Sequence, residues 1–298
     1  MIETLQPGDL FEHDRAVLKL ARSPKANIAL RYFSIKSATD NPDARWSPFQ
    51  IQMLNEESTL LAYNKSRQIG FSFMSAGDAL FDGLVKGKYT VVTISYNLEE
   101  AREKVLYLKG WWESKVDDPS LIPLSSEFDE QGNWRGASPN RIQRWPEMVT
   151  SNSLEVRFSN GFRFISLPCK PPRGKQATVL LDEFAHAQHA NAIYTAAFPM
   201  VTRGLGGLNR LIMGSTPIGA SGKFWEVFVD EEKYPDFRRY SFGWWQLREL
   251  CMKPIEAELF FRTCDKTEES LNYMVRKWGT DRMQFIWRNV LYEDFAQE

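Results

Sequence analysis

A basic loop between two apolar segments carries the residues best suited to bind phosphate. Residues 65–72 read Lys-Ser-Arg-Gln-Ile-Gly-Phe-Ser, which is the frame of the pattern G-x-x-x-x-G-K-[ST] with Gly70 and Ser72 in register. Lys65 stands where that pattern has its first glycine, and Phe71 stands where it has its lysine. Phosphate binding needs backbone N–H groups, one ammonium, and one hydroxyl for Mg²⁺. Because a lysine side chain is long and flexible, Lys65 can supply the ammonium.

Two adjacent acids follow a second apolar segment. Residues 176–183 read Gln-Ala-Thr-Val-Leu-Leu-Asp-Glu, which predicts a buried strand ending in Asp182 and Glu183. Open α/β sheets bind ligands at the carboxyl ends of their strands. We therefore expect Asp182 to hold Mg²⁺ and Glu183 to orient and deprotonate an attacking water. Adjacent residues of a strand point to opposite faces, so the two acids can take different roles.

A third apolar segment ends in small hydroxyl residues. Residues 210–213 lead into Gly214, Ser215 and Thr216, just before Pro217. Hydroxyl groups at a strand end can contact the γ-phosphate or its attacking water and report hydrolysis. The alternative is a strand followed by a turn that the proline marks.

The pattern of apolar residues predicts the elements that position these sites. Asn160-Gly161 is a strong signal for a β-hairpin, and Asn97 is suited to cap a helix. Strands are predicted at 59–63, 89–95, 154–158, 162–166, 176–183 and 210–216, and helices after Ser72 and at 97–112, 190–202 and 221–232. The fold class is therefore α/β, with a mostly parallel sheet flanked by helices and carrying an antiparallel hairpin.

Composition limits the classes of function. The 298 residues include 37 basic and 38 acidic side chains, a net charge of −1, which argues against a large static DNA-binding surface. No apolar run is long enough to span a membrane. His186 and His189 lack the further ligands of a zinc site. We predict an N-terminal arm at 1–45, a core at 46–243, and a small helical lid subdomain at 244–298.

Taken together, these motifs resemble the large terminase subunit of tailed bacteriophages, the motor that pumps DNA into capsids. Ser66 to Gly70 looks like the ATP loop of that family, and Lys65 before it is similar to the variant of lambda-like and Mu-like terminases. Residues 180–186 look like its acid motif, residues 214–217 like its coupling motif, and residues 46–50 like its adenine-side motif.

The resemblance implies a P-loop NTPase fold of the ASCE type that hydrolyses ATP with Mg²⁺. It implies metal ligation by Ser72 and Asp182, and catalysis by Glu183, Lys65 and Arg67. The implied ATP-binding residues are Gln50, Lys65, Ser66, Arg67, Gln68, Ile69, Gly70, Phe71, Ser72 and Thr216. The implied partners are double-stranded DNA, the portal protein of the procapsid, the small terminase subunit, and further copies of the chain in a ring, in the host cytoplasm. Family members usually continue into a nuclease domain. This sequence stops at Glu298, close to where that domain would be expected to begin, so we expect no nuclease activity.

Three points stay open at this stage. An arginine that acts on the γ-phosphate can be Arg67 of the same chain, or Arg135, Arg141 or Arg144 of a neighbouring chain. A helicase-type remodelling ATPase shares the loop and the acid pair. A non-hydrolysing assembly module is a further alternative, because Phe71 replaces the usual lysine.

Overall fold

A computed structural model describes residues 20–42, 44–115, 145–172, 176–202 and 209–243. The described residues fall into two compact units. Unit 1 takes its residues from Met1–Ser58, Ser72–Thr93 and Asn97–Pro168, and unit 2 from Thr59–Phe71, Ile94–Tyr96 and Cys169–Glu298. The predicted lid subdomain at 244–298 lies outside the described residues, and the three predicted domain boundaries stay predictions.

The described residues form eight strands, seven α-helices and one short 3-10 helix. The strands are β1 (Leu60–Lys65), β2 (Thr90–Ile94), β3 (Met148–Ser151), β4 (Glu155–Phe158), β5 (Arg163–Leu167), β6 (Thr178–Asp182), β7 (Leu211–Ser215) and β8 (Arg238–Phe242). The helices are α1 (Pro24–Tyr32), α2 (Ile35–Thr39), α3 (Pro48–Asn55), α4 (Phe71–Lys86), α5 (Leu98–Glu113), α6 (Ala190–Thr202) and α7 (Gly222–Val229), with a short 3-10 helix at Phe184–His186. No helix in these ranges is long and apolar enough to cross a membrane.

Unit 2 contains a parallel arrangement of strands in the order β6-β7-β1-β8. Every residue of β6 and β7 is buried. Strands of a parallel sheet that are covered on both faces are near-continuous apolar runs, and the sequences of β6 and β7 fit that rule. The register pairs Asp182 with Gly214, and Asn64 with Ser215. The carboxyl ends of β1, β6 and β7 therefore lie side by side, which is the location predicted for the site.

Unit 1 contains an antiparallel arrangement of β3, β4 and β5. Asn160 and Gly161 form the turn between β4 and β5, and Gly161 has the positive φ of 89° that such turns need. The Arg163 N–H donates to the carbonyl of Tyr89, at 2.8 Å, just before β2. Helix α5 begins as predicted, since the side chain of Asn97 accepts a hydrogen bond from the N–H of Glu100 at 2.8 Å.

Each strand and helix that the sequence predicted within the described residues is confirmed, with boundaries that differ by a few residues at most. Two strands were not predicted: β3 and β8. Two details were wrong. Helix α4 begins at Phe71, one residue before the hydroxyl of Ser72. Glu183 is not a strand residue, because β6 ends at Asp182 and the backbone of Glu183 is left-handed.

Candidate functional site

The loop that follows β1 has an open, left-handed backbone at its centre and end. Gln68 and Gly70 have φ values of 57° and 75°. A Cβ atom added at Gly70 would meet no heavy atom within 4 Å, so the backbone there is accessible to a ligand. The N–H of Ser66 is used within the sheet, where it donates to the carbonyl of Phe242 at 2.9 Å. The backbone N–H of Ser66 is therefore held by the sheet and does not face the loop.

Phe71, which stands at the lysine position of the standard pattern, fills a buried space. Its side chain is 2% exposed, and its ring lies 5.5 Å from the ring of Tyr63. A Cβ atom on Gly214 would lie 2.2 Å from the Phe71 ring, so the ring occupies the place that a larger residue at 214 would need. The phenylalanine at this position is therefore accounted for by packing.

Lys65 directs its ammonium group toward the same place from the end of β1. The Nζ atom lies 5.6 Å from the centroid of the Phe71 ring, a distance at which a cation is attracted to an aromatic face. The residue is 5% exposed. The ammonium of Lys65 thus lies beside position 71, where the standard loop carries its own lysine.

Glu183 has an unusual backbone conformation directly after β6. Its φ and ψ are 49° and 45°, which is uncommon for a residue other than glycine and costs about 1–3 kcal/mol. Its N–H donates to Oδ1 of Asp182 at 3.1 Å. The left-handed turn, rather than the alternation of a strand, sends the two acidic side chains to different surroundings. Strain of this kind concentrates at functional sites.

The carboxylate of Glu183 joins the three sequence motifs. Its Oε1 forms an ion pair with the Nζ of Lys65. Its Oε2 accepts hydrogen bonds from the backbone N–H and the hydroxyl of Thr216, both at 3.0 Å. The hydroxyl of Ser215 lies 3.4 Å from the same oxygen. The Glu183 side chain is 26% exposed, so solvent reaches a carboxylate that is nonetheless held on both oxygens.

His186 is a member of this network that the sequence reasoning considered only as a metal ligand. It ends the short 3-10 helix that follows Glu183, and its Nε2 lies 2.8 Å from the hydroxyl of Thr216. The N–H of Ala185 donates to the hydroxyl of Ser215 at 3.0 Å. The signal that could have found His186 is its position three residues after Glu183.

Two predicted site residues belong to unit 1. Ser72 follows Phe71 in the chain and lies within α4. Gln50 lies in α3, where its side-chain oxygen accepts from the N–H of Ser47 at 2.9 Å and completes a capping box. Trp46 stacks on Trp111, with ring centroids 5.3 Å apart. The structure thus gives Gln50 and Trp46 structural roles, and their predicted contact with adenine stays a prediction.

The remaining predicted residues differ in exposure. Arg67 and Gln68 are exposed at the tip of the loop, and Ile69 is buried. Asp182 is 3% exposed. The described residues contain no cluster of three or more His, Cys, Asp or Glu side chains that could hold a metal ion. Arg135, Arg141 and Arg144 lie outside the described residues.

Comparison with solved structures finds large terminases of bacteriophages. The large terminase ATPase domain of Thermus phage P74-26 is 15% identical, with a TM-score of 0.48 over 78% of this chain and 92% of that one. An arginine-to-alanine mutant of the same domain is 14% identical, with a TM-score of 0.49 and the same coverage. The large terminase of bacteriophage HK97 is 15% identical, with a TM-score of 0.48 over 78% of this chain and 44% of that one.

No family model and no curated protein matches the sequence. At TM-scores this low, the structural likenesses decide neither the fold nor the function of this chain. The mixed α/β fold follows from its own strands and helices.

Proposed function

We propose that the chain is the ATP-hydrolysing motor domain of a viral terminase, which powers the movement of double-stranded DNA into a procapsid. The observation that supports hydrolysis is the convergence of Lys65, Glu183 and Thr216, one from each motif, at the carboxyl ends of neighbouring parallel strands. The assignment to DNA packaging is supported by the order of the motifs from Trp46 to Pro217.

Phosphate binding begins with an exchange of partners at Lys65. The ammonium is paired with Glu183, and the β- and γ-phosphates of ATP offer it a larger negative charge. The open backbone at Gly70, in the loop that follows Lys65, is suited to binding the same anionic oxygens. We infer that ATP takes Lys65 from Glu183.

The residues fit a magnesium ion that ATP brings with it. Magnesium is commonly held by one or two carboxylates together with substrate phosphates and water, and the described residues offer single carboxylates rather than a cage. Asp182, buried at the end of β6, would hold the ion, and the role of Ser72 as a hydroxyl ligand rests on the motif alone. An ion held there would neutralise charge on the phosphates.

The same exchange prepares Glu183 to act as a base. Its Oε2 stays bound to the N–H and hydroxyl of Thr216. Its Oε1 loses the ammonium of Lys65 and becomes free to accept a proton from water. The oxygen that accepts the proton is therefore Oε1. Thr216, which follows β7 and stays bound to Oε2, is the residue that senses the change in the partners of Glu183. The base is thus available only when a nucleotide occupies the loop.

Assembly completes the proposed motor. An arginine that acts on the γ-phosphate increases the rate by about 10³–10⁵. Arg67 is exposed on the loop and can serve its own site, while Arg135, Arg141 and Arg144 are the candidates for a neighbouring site. We propose a homo-oligomeric ring that works in the host cytoplasm with the portal protein and the small terminase subunit.

The test of hydrolysis is phosphate release by the full chain with MgATP, over a range of protein concentrations. Lys65→Ala should abolish turnover and weaken nucleotide binding. Phe71→Leu, the matched control, removes aromatic packing but no charge, so it should lower stability and keep turnover above that of Lys65→Ala. Nucleotide binding without turnover by the wild-type chain at every concentration would favour the non-hydrolysing module. Wild-type turnover by Lys65→Ala would contradict the role of Lys65.

The test of assembly mixes two inactive variants. Chains carrying Glu183→Gln are combined with chains altered at Arg135, Arg141 or Arg144. Recovery of turnover in a mixture would show that the arginine comes from a neighbour. If turnover per chain is independent of concentration and no mixture recovers, Arg67 acts within its own chain.

The packaging assignment needs its own measurement. Stimulation of turnover by empty procapsids that carry the portal supports a terminase. Duplex unwinding without such stimulation would instead support a helicase-type ATPase.

A further inference from the structure

We propose that His186 is a positioning residue, which acts through Thr216 to orient the carboxylate of Glu183. The proposal rests on the proposed hydrolysis at this site. It begins from two contacts of one hydroxyl: Thr216 Oγ1 lies 3.0 Å from Oε2 of Glu183 and 2.8 Å from Nε2 of His186.

The direction of these hydrogen bonds follows from the chemistry of the groups. Glu183 is ion-paired with Lys65, and an ionised carboxylate can only accept. The Thr216 hydroxyl must therefore donate its single hydrogen to Oε2. The histidine contact can then form only if Nε2 carries a hydrogen and donates to Oγ1. The chain of donors runs from His186 through Thr216 to Glu183.

The local backbone holds this chain of donors in place. The N–H of Ala185, next to His186, donates to the hydroxyl of Ser215 at 3.0 Å. The N–H of Thr216 donates to the same oxygen of Glu183 as its hydroxyl does. The turn after β6 is thus tied at Glu183 and at Ala185 to the residues at the end of β7.

Without the imidazole, the Thr216 hydroxyl still donates to Oε2 of Glu183, but it no longer accepts from His186, the contact that fixes the rotation of the hydroxyl. Glu183 would then sample orientations in which Oε1 is poorly placed to accept a proton. Nucleotide binding should change little, because Lys65 and the loop after β1 carry it. The expected signature is a lower kcat with an unchanged KM.

The experiment compares substitutions that keep or remove the donor. His186→Ala should lower kcat about fivefold, which corresponds to about 1 kcal/mol and to one neutral hydrogen bond. His186→Gln, whose amide NH₂ can donate, should recover most of kcat. His189→Asn is the matched control, because His189 is exposed, lies three residues further along, and has a left-handed φ of 61° that asparagine tolerates.

A double-mutant cycle separates this role from a merely structural one. In a Thr216→Val background, His186→Ala should have no further effect on kcat, because the group through which it acts is gone. Full additivity of the two substitutions would overturn the proposal. Equal loss in the alanine and glutamine variants, or a rise in KM with kcat unchanged, would also overturn it.

A nitrogen-15 spectrum of the imidazoles tests the geometry without turnover. His186 should carry its hydrogen on Nε2, and Thr216→Val should shift that resonance. An Nε2 without a hydrogen would overturn the proposal even in an active chain. Absence of turnover by the wild-type chain, alone or with procapsids and DNA, would instead overturn the proposed function and with it the positioning role of His186.

Discussion

Replacing Glu183 with glutamine should tighten the binding of ATP while it stops hydrolysis. In the free chain, the ammonium of Lys65 is buried against the Glu183 carboxylate and the ring of Phe71. Binding of ATP by Lys65 therefore has to break an ion pair first. A neutral amide at 183 keeps the shape of the side chain and removes the charge that holds the ammonium.

The size of the effect follows from the kinds of hydrogen bond involved. A hydrogen bond that involves a charged group contributes about 1.5–3 kcal/mol. The bond between Lys65 and Glu183, in which both partners are charged, belongs at the upper end of that range, and a bond from the Lys65 ammonium to a neutral amide belongs at the lower end. Because glutamine can still accept from Lys65, the difference is about 1.4 kcal/mol, or a tenfold lower Kd for ATP. Loss of the base should lower kcat by at least about a hundredfold.

The assay is calorimetric titration with a non-hydrolysable ATP analogue and Mg²⁺. It compares the wild-type chain, Glu183→Gln, Lys65→Ala and the double variant. If the gain comes from release of Lys65, it should vanish in the Lys65→Ala background. AMP, which lacks the β- and γ-phosphates, should bind the wild-type chain and Glu183→Gln equally.

Two results would refute the reasoning. An unchanged or higher Kd for Glu183→Gln would mean that Lys65 does not leave Glu183 when ATP binds. A gain that persists without Lys65 would mean that the carboxylate acts by general repulsion of the phosphates. Wild-type turnover by Glu183→Gln would in addition assign the base to another group.

Two further predictions concern stability. Gly214→Ala should lower the free energy of unfolding by about 1–3 kcal/mol through overpacking, because its Cβ would lie 2.2 Å from the Phe71 ring. Denaturant unfolding should show a smaller loss when Gly214→Ala is combined with Phe71→Leu, and equal losses would contradict the packing account. Hydrogen bonding by Arg163, with Arg157 beside it, lowers the pKa of Glu155 from 4.5 to about 2. A carboxyl group with a lowered pKa contributes stability that is present above pH 4.5 and is lost as the pH falls toward 2. Glu155→Gln should therefore lower the free energy of unfolding by at most about 1 kcal/mol at pH 7. Thermal melts should show the difference in stability between Glu155→Gln and wild type shrinking as the pH is lowered from 4.5 to the most acidic pH at which the chain folds. A difference that stays constant over this range would exclude the ion pairs of Glu155 as its cause.

The sequence could predict those elements whose local signals agree with their environment. The strands β6 and β7 are apolar throughout because both of their faces are buried. Asn97 is the N-cap of α5, and Gly161 has the positive φ that its turn requires. The strand β8 reads Arg-Arg-Tyr-Ser-Phe and, among the described strands, pairs with β1 alone, so its composition carries little strand signal. The strand β3 is largely exposed, which weakens its signal in the same way.

The sequence could name Lys65, Glu183 and Thr216 as candidates, but it could not predict the contacts between them. Lys65, Glu183 and Thr216 were expected to act on ATP separately, as ammonium, base and sensor. Their direct contact depends on the left-handed backbone of Glu183, which a pattern of alternating residues cannot show. The place of Phe71 depends on the missing Cβ of Gly214, 143 positions further along the chain. Pairs so distant in sequence leave no local signal.

The fit of Phe71 against Gly214 has a consequence for how such a loop can change by mutation. A lysine introduced at position 71 would leave an unfilled volume above Gly214 and set a second ammonium beside that of Lys65. A glycine introduced at position 65 would leave the site without any ammonium until position 71 had changed. A larger residue at 214 would clash until the ring at 71 had gone. Each of these single changes is thus unfavourable by itself, so replacement of this loop by the standard one requires coordinated changes at positions 65, 71 and 214.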